Sequence, residues 1–290
     1  MKAIVTGGAG FIGSHITQRL LDDGHEVIIL DDLSSGKVDN VPEAAALICA
    51  NVIDTHNYGD SLRGVDVVFH NAASKKNICL KNPAYDLDVN GKGTLKLLMA
   101  CKAQGVKSFI HASTGSVYGE VDGSLHEDGP TNPVSYYGIS KLAGENYARM
   151  FAKDMNVVVL RYFHVYGPRQ EDDPDLGGVV AVFKKQIKNN CSVTIHGDGS
   201  QKRVFTHVND IVEINMKAWE EADRVSGNVY NCASNIPISV MALAGELIQK
   251  SGKKILLEYK PPLEGDIYNF NVDNRNVRLH LGVNFTAFKP

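Results

Sequence analysis

The sequence predicts an α/β protein: a doubly wound parallel sheet with a smaller, discontinuous α/β unit. Three observations predict it. Residues 2–32 run strand, glycine turn, helix, strand, acid. Short apolar runs then alternate with helical stripes as far as residue 160. From residue 167 to 178 proline, glycine and charge crowd together, and the alternation breaks. Regular strand–helix alternation gives parallel strands with helices on both faces, the Rossmann-type arrangement, with ligands at the carboxyl ends of the strands.

Each element has a local reason. Ala3-Ile4-Val5 is long enough for a buried strand. Thr6-Gly7-Gly8-Ala9-Gly10-Phe11-Ile12-Gly13 follows, then Ile12, Ile16, Leu20 and Leu21 at helical spacing, with Gly24 placed to stop the helix. A second strand, 27–30, ends on Asp31. Glycines let the backbone turn sharply and approach a pyrophosphate, and the helix after them offers free N–H groups to that anion. Both Gly8-x-Gly10-x-x-Gly13 and Gly7-x-x-Gly10-x-x-Gly13 fit such a turn. Asp31, eighteen positions after Gly13, can accept from both ribose hydroxyls of an adenosine. Its charge repels a 2′-phosphate, so NAD is expected rather than NADP.

Further strands are expected at 47–49, 65–70, 108–111 and 157–160, with helices over 95–101 and 136–155. After the break come a helix (179–188), a strand (193–196), a helix (238–250) and a strand (255–259), while 205–219 and 228–232 return to the large sheet. This divides the chain into a dinucleotide-binding domain, 1–166 plus 207–232, and a substrate domain, 167–206 plus 233–290.

The totals narrow the class. A net charge of −3 argues against nucleic acid or an acidic membrane as main partner. The five cysteines are scattered, with no CxxC pair, which fits a reducing compartment and gives no metal framework. The first strand begins near residue 2 and no apolar run approaches membrane-spanning length, so a cytoplasmic protein is expected.

A second constellation carries chemistry. Tyr137 and Lys141 are four apart and share a helix face. An ammonium beside a phenol favours the phenolate, so Lys141 is expected to lower the pKa of Tyr137. A tuned tyrosine takes the proton of a hydroxyl as hydride leaves the same carbon. Ser113 or Thr114, after the strand at 108–111, offers a hydroxyl for the reacting oxygen. Tyr136 reads as a wall residue and Tyr118 as a packed aromatic.

These blocks resemble the extended short-chain dehydrogenase/reductases, specifically the NAD-dependent nucleotide-sugar epimerase/dehydratase group. TGGAGFIG, DDLSSGK, HNAA, DVNGKGT, STGSVYGE, YYGISK, RYFHVYGPRQ, IHGDGSQKRVFTHVND and PPLEGD match the family in order over nearly the whole chain. The resemblance implies NAD held by Gly7, Gly10, Phe11, Ile12 and Gly13 at the pyrophosphate, and by Asp31, Asp32, Ser34, Ser35 and Gly36 at the ribose. It implies Asn51 and Val52 at the adenine, and Ala72, Ala73, Lys75, Asn90, Tyr162 and His164 toward the nicotinamide. Thr114, Tyr137 and Lys141 fall on the catalytic positions. Lys75, Ser113, Thr114, Tyr137, His164, Arg203 and Phe270 fall on the sugar-nucleotide side. The implied reaction is epimerisation at C4 of a nucleotide-activated hexose, a UDP-hexose by expectation, through a transient 4-keto sugar. A homodimer is implied through helices around 92–104 and 140–154, with Leu95, Met99, Tyr147 and Met150 as candidate contacts.

The sequence also departs from the family. His164 replaces an asparagine, and Asn51 a frequent aspartate, which is expected to loosen adenine-side contacts. Leu263-Glu264 stands before Gly265-Asp266 where an arginine is common, and Phe270 disfavours a bulky N-acetyl group. Relatives continue beyond Pro290 into a terminal helix. A 4,6-dehydratase would need an Asp-Glu pair where Gly115 and Ser116 stand, unless Glu120 substitutes. A sugar reductase or decarboxylase would use the same tyrosine and lysine, and a non-enzymatic NAD-sensing regulator would use the same fold.

Overall fold

The computed structural model describes residues 1–74, 76–173, 177–263 and 267–289. In chain order the strands are β1 (Lys2–Thr6), β2 (Glu26–Asp31), β3 (Ala46–Cys49), β4 (Val67–His70), β5 (Ser108–Thr114), β6 (Asn156–Tyr162), β7 (Val165–Tyr166), β8 (Val193–His196), β9 (Lys202–Val204), β10 (Thr206–His207), β11 (Val229–Cys232), β12 (Pro237–Ser239) and β13 (Leu257–Lys260). The helices are α1 (Phe11–Asp22), α2 (Lys76–Lys81), α3 (Pro83–Leu87), α4 (Thr94–Gln104), α5 (Tyr136–Met150), α6 (Val179–Lys188), α7 (Val208–Glu220), α8 (Ala222–Val225), α9 (Val240–Ser251) and α10 (Arg275–Leu281).

Seven strands form one parallel sheet in the order β11-β6-β5-β4-β1-β2-β3. The chain leaves β1 toward β2 and β3, then crosses back to place β4 on the other side of β1. The reversal opens a crevice at the carboxyl ends of β1 and β4, where a ligand fits without blocking a connection. The register Thr6↔Leu30 and Thr6↔His70 aligns those ends.

The sheet is apolar on both faces because both are covered. One face packs Ile16, Leu20, Phe69 and Ile211 under α1 and α7. The other packs Leu97, Leu98, Phe109 and Val159 under α4 and α5. A third cluster, with Phe183, Ile195 and Leu243, joins α6, β8 and α9 away from that sheet.

Several boundaries differ from the sequence pattern. The helix expected to reach 155 stops at Met150, and Phe151–Lys153 tighten into a 3₁₀ turn so that β6 can begin at Asn156. Ile238, expected in a helix, pairs antiparallel with Arg203 in β12, ahead of the Ser239 cap of α9. Residues Asp88–Gly93 form a π-helical turn leading into α4. Such turns cluster at functional sites.

Phe109 has no exposed surface. Phe109→Ala is expected to cost about 3–5 kcal/mol of unfolding free energy, read as a lower midpoint in urea.

Candidate active site

The glycine turn is shaped by contacts that exclude side chains. Gly7 has φ +67°, and a Cβ there would lie 2.8 Å from the Ala72 amide nitrogen. A Cβ on Gly13 would collide with the Gly7 carbonyl oxygen. Gly10 precedes α1 with no side-chain cap, so the first N–H groups of α1 face the crevice.

A cleft of about 280 Å³ runs from this turn across the sheet. Gly7, Gly10, Phe11, Ile12 and Gly13 line it, followed by Asp31, Asp32, Ser34, Ser35 and Gly36 after β2 and by Asn51 and Val52 after β3. Ala72, Ala73, Ser113, Tyr137, Lys141 and Tyr162 line the other end. The sequence reading missed Asn71, Ser74, Tyr85, Val89 and Ala112, which line it too. Tyr85 comes from α3, far from any cofactor motif in sequence. Lys75 lies outside the described residues.

Asp31 is 8% exposed and turned into the cleft. Its carboxylate accepts from the backbone nitrogens of Ala9 at 3.0 Å and Leu33 at 2.9 Å. Burial raises its pKa, and those two N–H groups oppose the rise. Asn51, where the family often has an aspartate, is bonded on both sides of its amide. Its amide nitrogen donates to Asp32 at 2.7 Å and to the Tyr85 hydroxyl at 3.1 Å, and its oxygen accepts from Ile53 N at 3.0 Å. An aspartate at 51 would set a second carboxylate against Asp32.

At the other end α5 starts at the Ser135 cap, whose hydroxyl accepts from Gly138 N at 3.1 Å. That start sets Tyr137 and Lys141 on the face turned to β5. Lys141 is buried, and its ammonium donates to the Ala112 carbonyl at 2.6 Å. Burial pulls Lys141 down to about 8, against the charges of Glu145 and Asp86. Burial and then Asp86 push the Tyr137 phenol up to about 12, while a hydrogen bond with Thr114 pulls it down. Burial of the phenol is the largest of these influences.

The two hydroxyl candidates separate. Ser113 donates to the buried Glu145 at 2.7 Å, and Glu145 is also bonded by Arg161 Nε at 3.1 Å. Thr114 stays beside Tyr137 and accepts from Ser116 N at 3.2 Å.

Asn90, expected behind the nicotinamide, lies off the cleft surface and is 1% exposed. Its side-chain oxygen accepts from Ser74 N at 2.9 Å, and its nitrogen donates to Asp86 at 3.1 Å and Ser140 at 3.0 Å. Its backbone oxygen accepts from the Thr94 hydroxyl at 2.7 Å. With that proton committed, His70 Nε2 donates to Thr94, and His70 Nδ1 accepts from Thr6. The Thr6 hydroxyl oxygen accepts from Ala72 N at 3.1 Å. One chain of bonds thus holds the loop after β4 at Ala72 and Ser74.

His164, Arg203 and Phe270 form a separate cluster off the cofactor cleft. The His164 ring meets the Phe270 ring at 4.7 Å, edge to face, and the Arg203 guanidinium lies 5.6 Å over the same ring. His164 has φ +34°. Leu263 is exposed, and Glu264, Gly265 and Asp266 lie outside the described residues. Tyr118 is packed as expected, bonded to Asn231, whereas Tyr136 is 56% exposed and walls nothing. No cluster of metal-binding side chains occurs among the described residues.

Residues 3–233 match the model of the NAD dependent epimerase/dehydratase family. The chain is 35% identical over 300 residues to the UDP-glucose 4-epimerase of Mycolicibacterium smegmatis, spanning 97% of this chain and 93% of that protein. Its structure is similar to that of UDP-glucose 4-epimerase with UDP-glucose from Thermotoga maritima, with TM-score 0.93 and 36% identity over 99% of this chain and 94% of the other. It is also similar to UDP-glucuronic acid 4-epimerase from Bacillus cereus in complex with UDP-glucuronic acid and NAD, with TM-score 0.92 and 31% identity over 99% and 95% of the two chains. With its glycine turn, its Asp31 and its Tyr137–Lys141 face set along one cleft, the chain belongs to the NAD dependent epimerase/dehydratase family.

Proposed function

We propose that this protein is an NAD-dependent epimerase that inverts C4 of a nucleotide-activated hexose, a UDP-hexose, through a transient 4-keto sugar. The observation that carries the reading is the cleft itself. Asp31 stands at one end, and Tyr137 and Lys141 stand at the other, with Thr114, which is not among the lining residues, hydrogen-bonded to Tyr137.

NAD fits these residues: the side-chain-free turn at Gly7 and Gly13 accepts a pyrophosphate, and the Asp31 carboxylate accepts ribose hydroxyls. NAD bound there supplies the acceptor and later the donor of hydride. Thr114 holds the sugar oxygen beside Tyr137. Tyr137 takes the 4-hydroxyl proton and returns it when the keto sugar is reduced on its other face. Lys141, anchored on Ala112, holds a positive charge below that exchange. Its pKa of about 8 keeps it largely cationic at neutral pH. His164, Arg203 and Phe270 form the sugar-nucleotide side of the proposal.

The packing argues against dehydration. A Cβ at 115 would lie 2.3 Å from the Phe163 ring, so a side chain there would need that ring to move. Ser116 is engaged with Thr114, and the Glu120 carboxylate accepts from Tyr268 N at 2.7 Å. The separate apolar cluster around Phe183 and Leu243 supports a second unit built on α6, β8 and α9, whereas Val277, Leu281 and Val283 pack into the core under α1 and α7, so the stretch around α10 goes with the dinucleotide-binding unit and not with 233–290. The homodimer through α4 and α5 is supported by the exposure of Met99 (58%), Met150 (64%) and Tyr147 (37%), although Leu95 is partly covered. Among the described residues no helix is long and apolar enough to cross a membrane; a cytoplasmic site of action rests on the scattered cysteines.

Tyr137→Phe should retain NAD and lose at least about 10²-fold in the interconversion of UDP-glucose and UDP-galactose, followed by product analysis. Near-normal turnover would place the acid–base group elsewhere. Asp31→Ala should weaken NAD about tenfold or more and relax discrimination against NADP, measured by cofactor titration; an unchanged preference would sink the ribose assignment. Net accumulation of NADH during turnover would favour a reductase-type reaction over epimerisation.

A further inference from the structure

The end of the cleft beyond Asp31 holds a residue that the cofactor motifs do not account for. Tyr85 lies on α3, whose start is fixed by the Asn82 side chain accepting from Tyr85 N at 3.1 Å. The Tyr85 ring is partly buried and packs on the cluster that contains Val52 and Val89. Its hydroxyl accepts from Asn51 Nδ2 at 3.1 Å. Tyr85, Asn51 and Asp32 all line the cleft. They come from three separate places: α3, the turn after β3 and the turn after β2.

These bonds fix which way the Asn51 amide points. Its oxygen accepts from Ile53 N at 3.0 Å. Its nitrogen donates one hydrogen to Asp32 Oδ2 at 2.7 Å and the other to the Tyr85 hydroxyl. Turned over, the amide would set its oxygen against the Asp32 carboxylate and its NH2 against the Ile53 N–H. Asp32 is itself held, since its other oxygen accepts from Ser34 N at 3.0 Å. Both amide hydrogens are therefore committed. What Asn51 keeps for a ligand is one lone pair on its oxygen, which accepts and cannot donate.

The sheet order says which part of NAD meets that lone pair. β2 and β3 are neighbours at the edge of the sheet, with Asp31 in register with Cys49. A cofactor whose ribose meets Asp31 sets its base at the end of β3, where Ala50, Asn51 and Val52 line the cleft. Adenine carries a 6-amino group, a donor, and hypoxanthine a 6-oxo group, an acceptor. An acceptor-only Asn51 suits the first and opposes the second. We propose that Tyr85 is a positioning residue for base selection: it occupies the second Asn51 amide hydrogen and so leaves Asn51 an acceptor that selects a 6-aminopurine. Asparagine needs such a partner because its two ends differ, whereas an ionised carboxylate has no donor to mask. The proposal rests on NAD in this cleft and not on the sugar reaction.

The test is base selectivity, read as the ratio of bound NAD to bound nicotinamide hypoxanthine dinucleotide. The full chain is equilibrated with an equimolar mixture, and the bound dinucleotides are released and separated by chromatography. The parent should favour NAD by about tenfold or more. Tyr85→Phe frees an N–H that can meet a 6-oxo group, so the ratio should fall by about threefold or more. Asn51→Asp combined with Tyr85→Phe should restore the ratio, because an ionised carboxylate only accepts. Asn51→Ala should bring the ratio toward one, and adding Tyr85→Phe should change it no further. Tyr85→Leu removes the same hydroxyl if Tyr85→Phe does not fold.

A purely structural tyrosine would weaken both dinucleotides alike and leave the ratio unmoved, and that result would overturn the proposal. A Tyr85→Phe effect that persists beside Asn51→Ala would overturn it as well, because the hydroxyl would then touch the base itself. A chain that folds only with tyrosine at 85 assigns the hydroxyl to stability and has the same consequence. A parent that binds both dinucleotides equally overturns the role of Asn51 and leaves NAD in the cleft; one that binds neither overturns both. None of these measurements needs UDP-hexose turnover, so a failed sugar reading leaves the role of Tyr85 decided.

Discussion

The reacting end of the cleft depends on the buried side chain of Asn90. One amide ties three pieces of backbone that no single element could hold. It accepts from Ser74 in the loop after β4, and donates to Asp86 on α3 and to Ser140 on α5. Its own carbonyl anchors the Thr94–His70–Thr6 chain that ends at Ala72. A buried amide with partners on every side is rigid, and an unmet partner there would cost the full desolvation of that group. The π-helical turn Asp88–Gly93 places Asn90 so that its side chain and its carbonyl both point inward.

Around that tie, buried charges are handled in two ways. Glu145 and Arg161 are matched to each other, and Arg161 also lies 4.6 Å over the Tyr118 ring. Removing one partner of such a pair leaves the other stranded, so the pair fixes how α5 meets β6. Lys141 and Asp86 are not matched in this way. Lys141 rests on the Ala112 carbonyl, and Asp86 accepts from Ser140 and Asn90.

The cofactor end was legible in the sequence because its logic is local. Strand, glycine turn, helix, strand and Asp31 fall within residues 2–31, and each obeys a short-range rule. The helix spacing likewise put Tyr137 and Lys141 on one face of α5. The contacts of Asn51 were not legible, because its partners, Asp32 and Tyr85, come from two other segments. Ser113 was offered as a substrate hydroxyl, and only the packing of α5 on β5 showed its proton committed to Glu145.

The sequence by itself determined the sheet, the dinucleotide turn and the shared helix face of Tyr137 and Lys141, since these rest on residue type and spacing along one stretch of chain. The tertiary structure decided their electrostatics. Whether Tyr137 ionises easily depends on burial and on Asp86, fifty-one positions away in the chain. Desolvation and buried charge act through space, and spacing along the chain does not encode them.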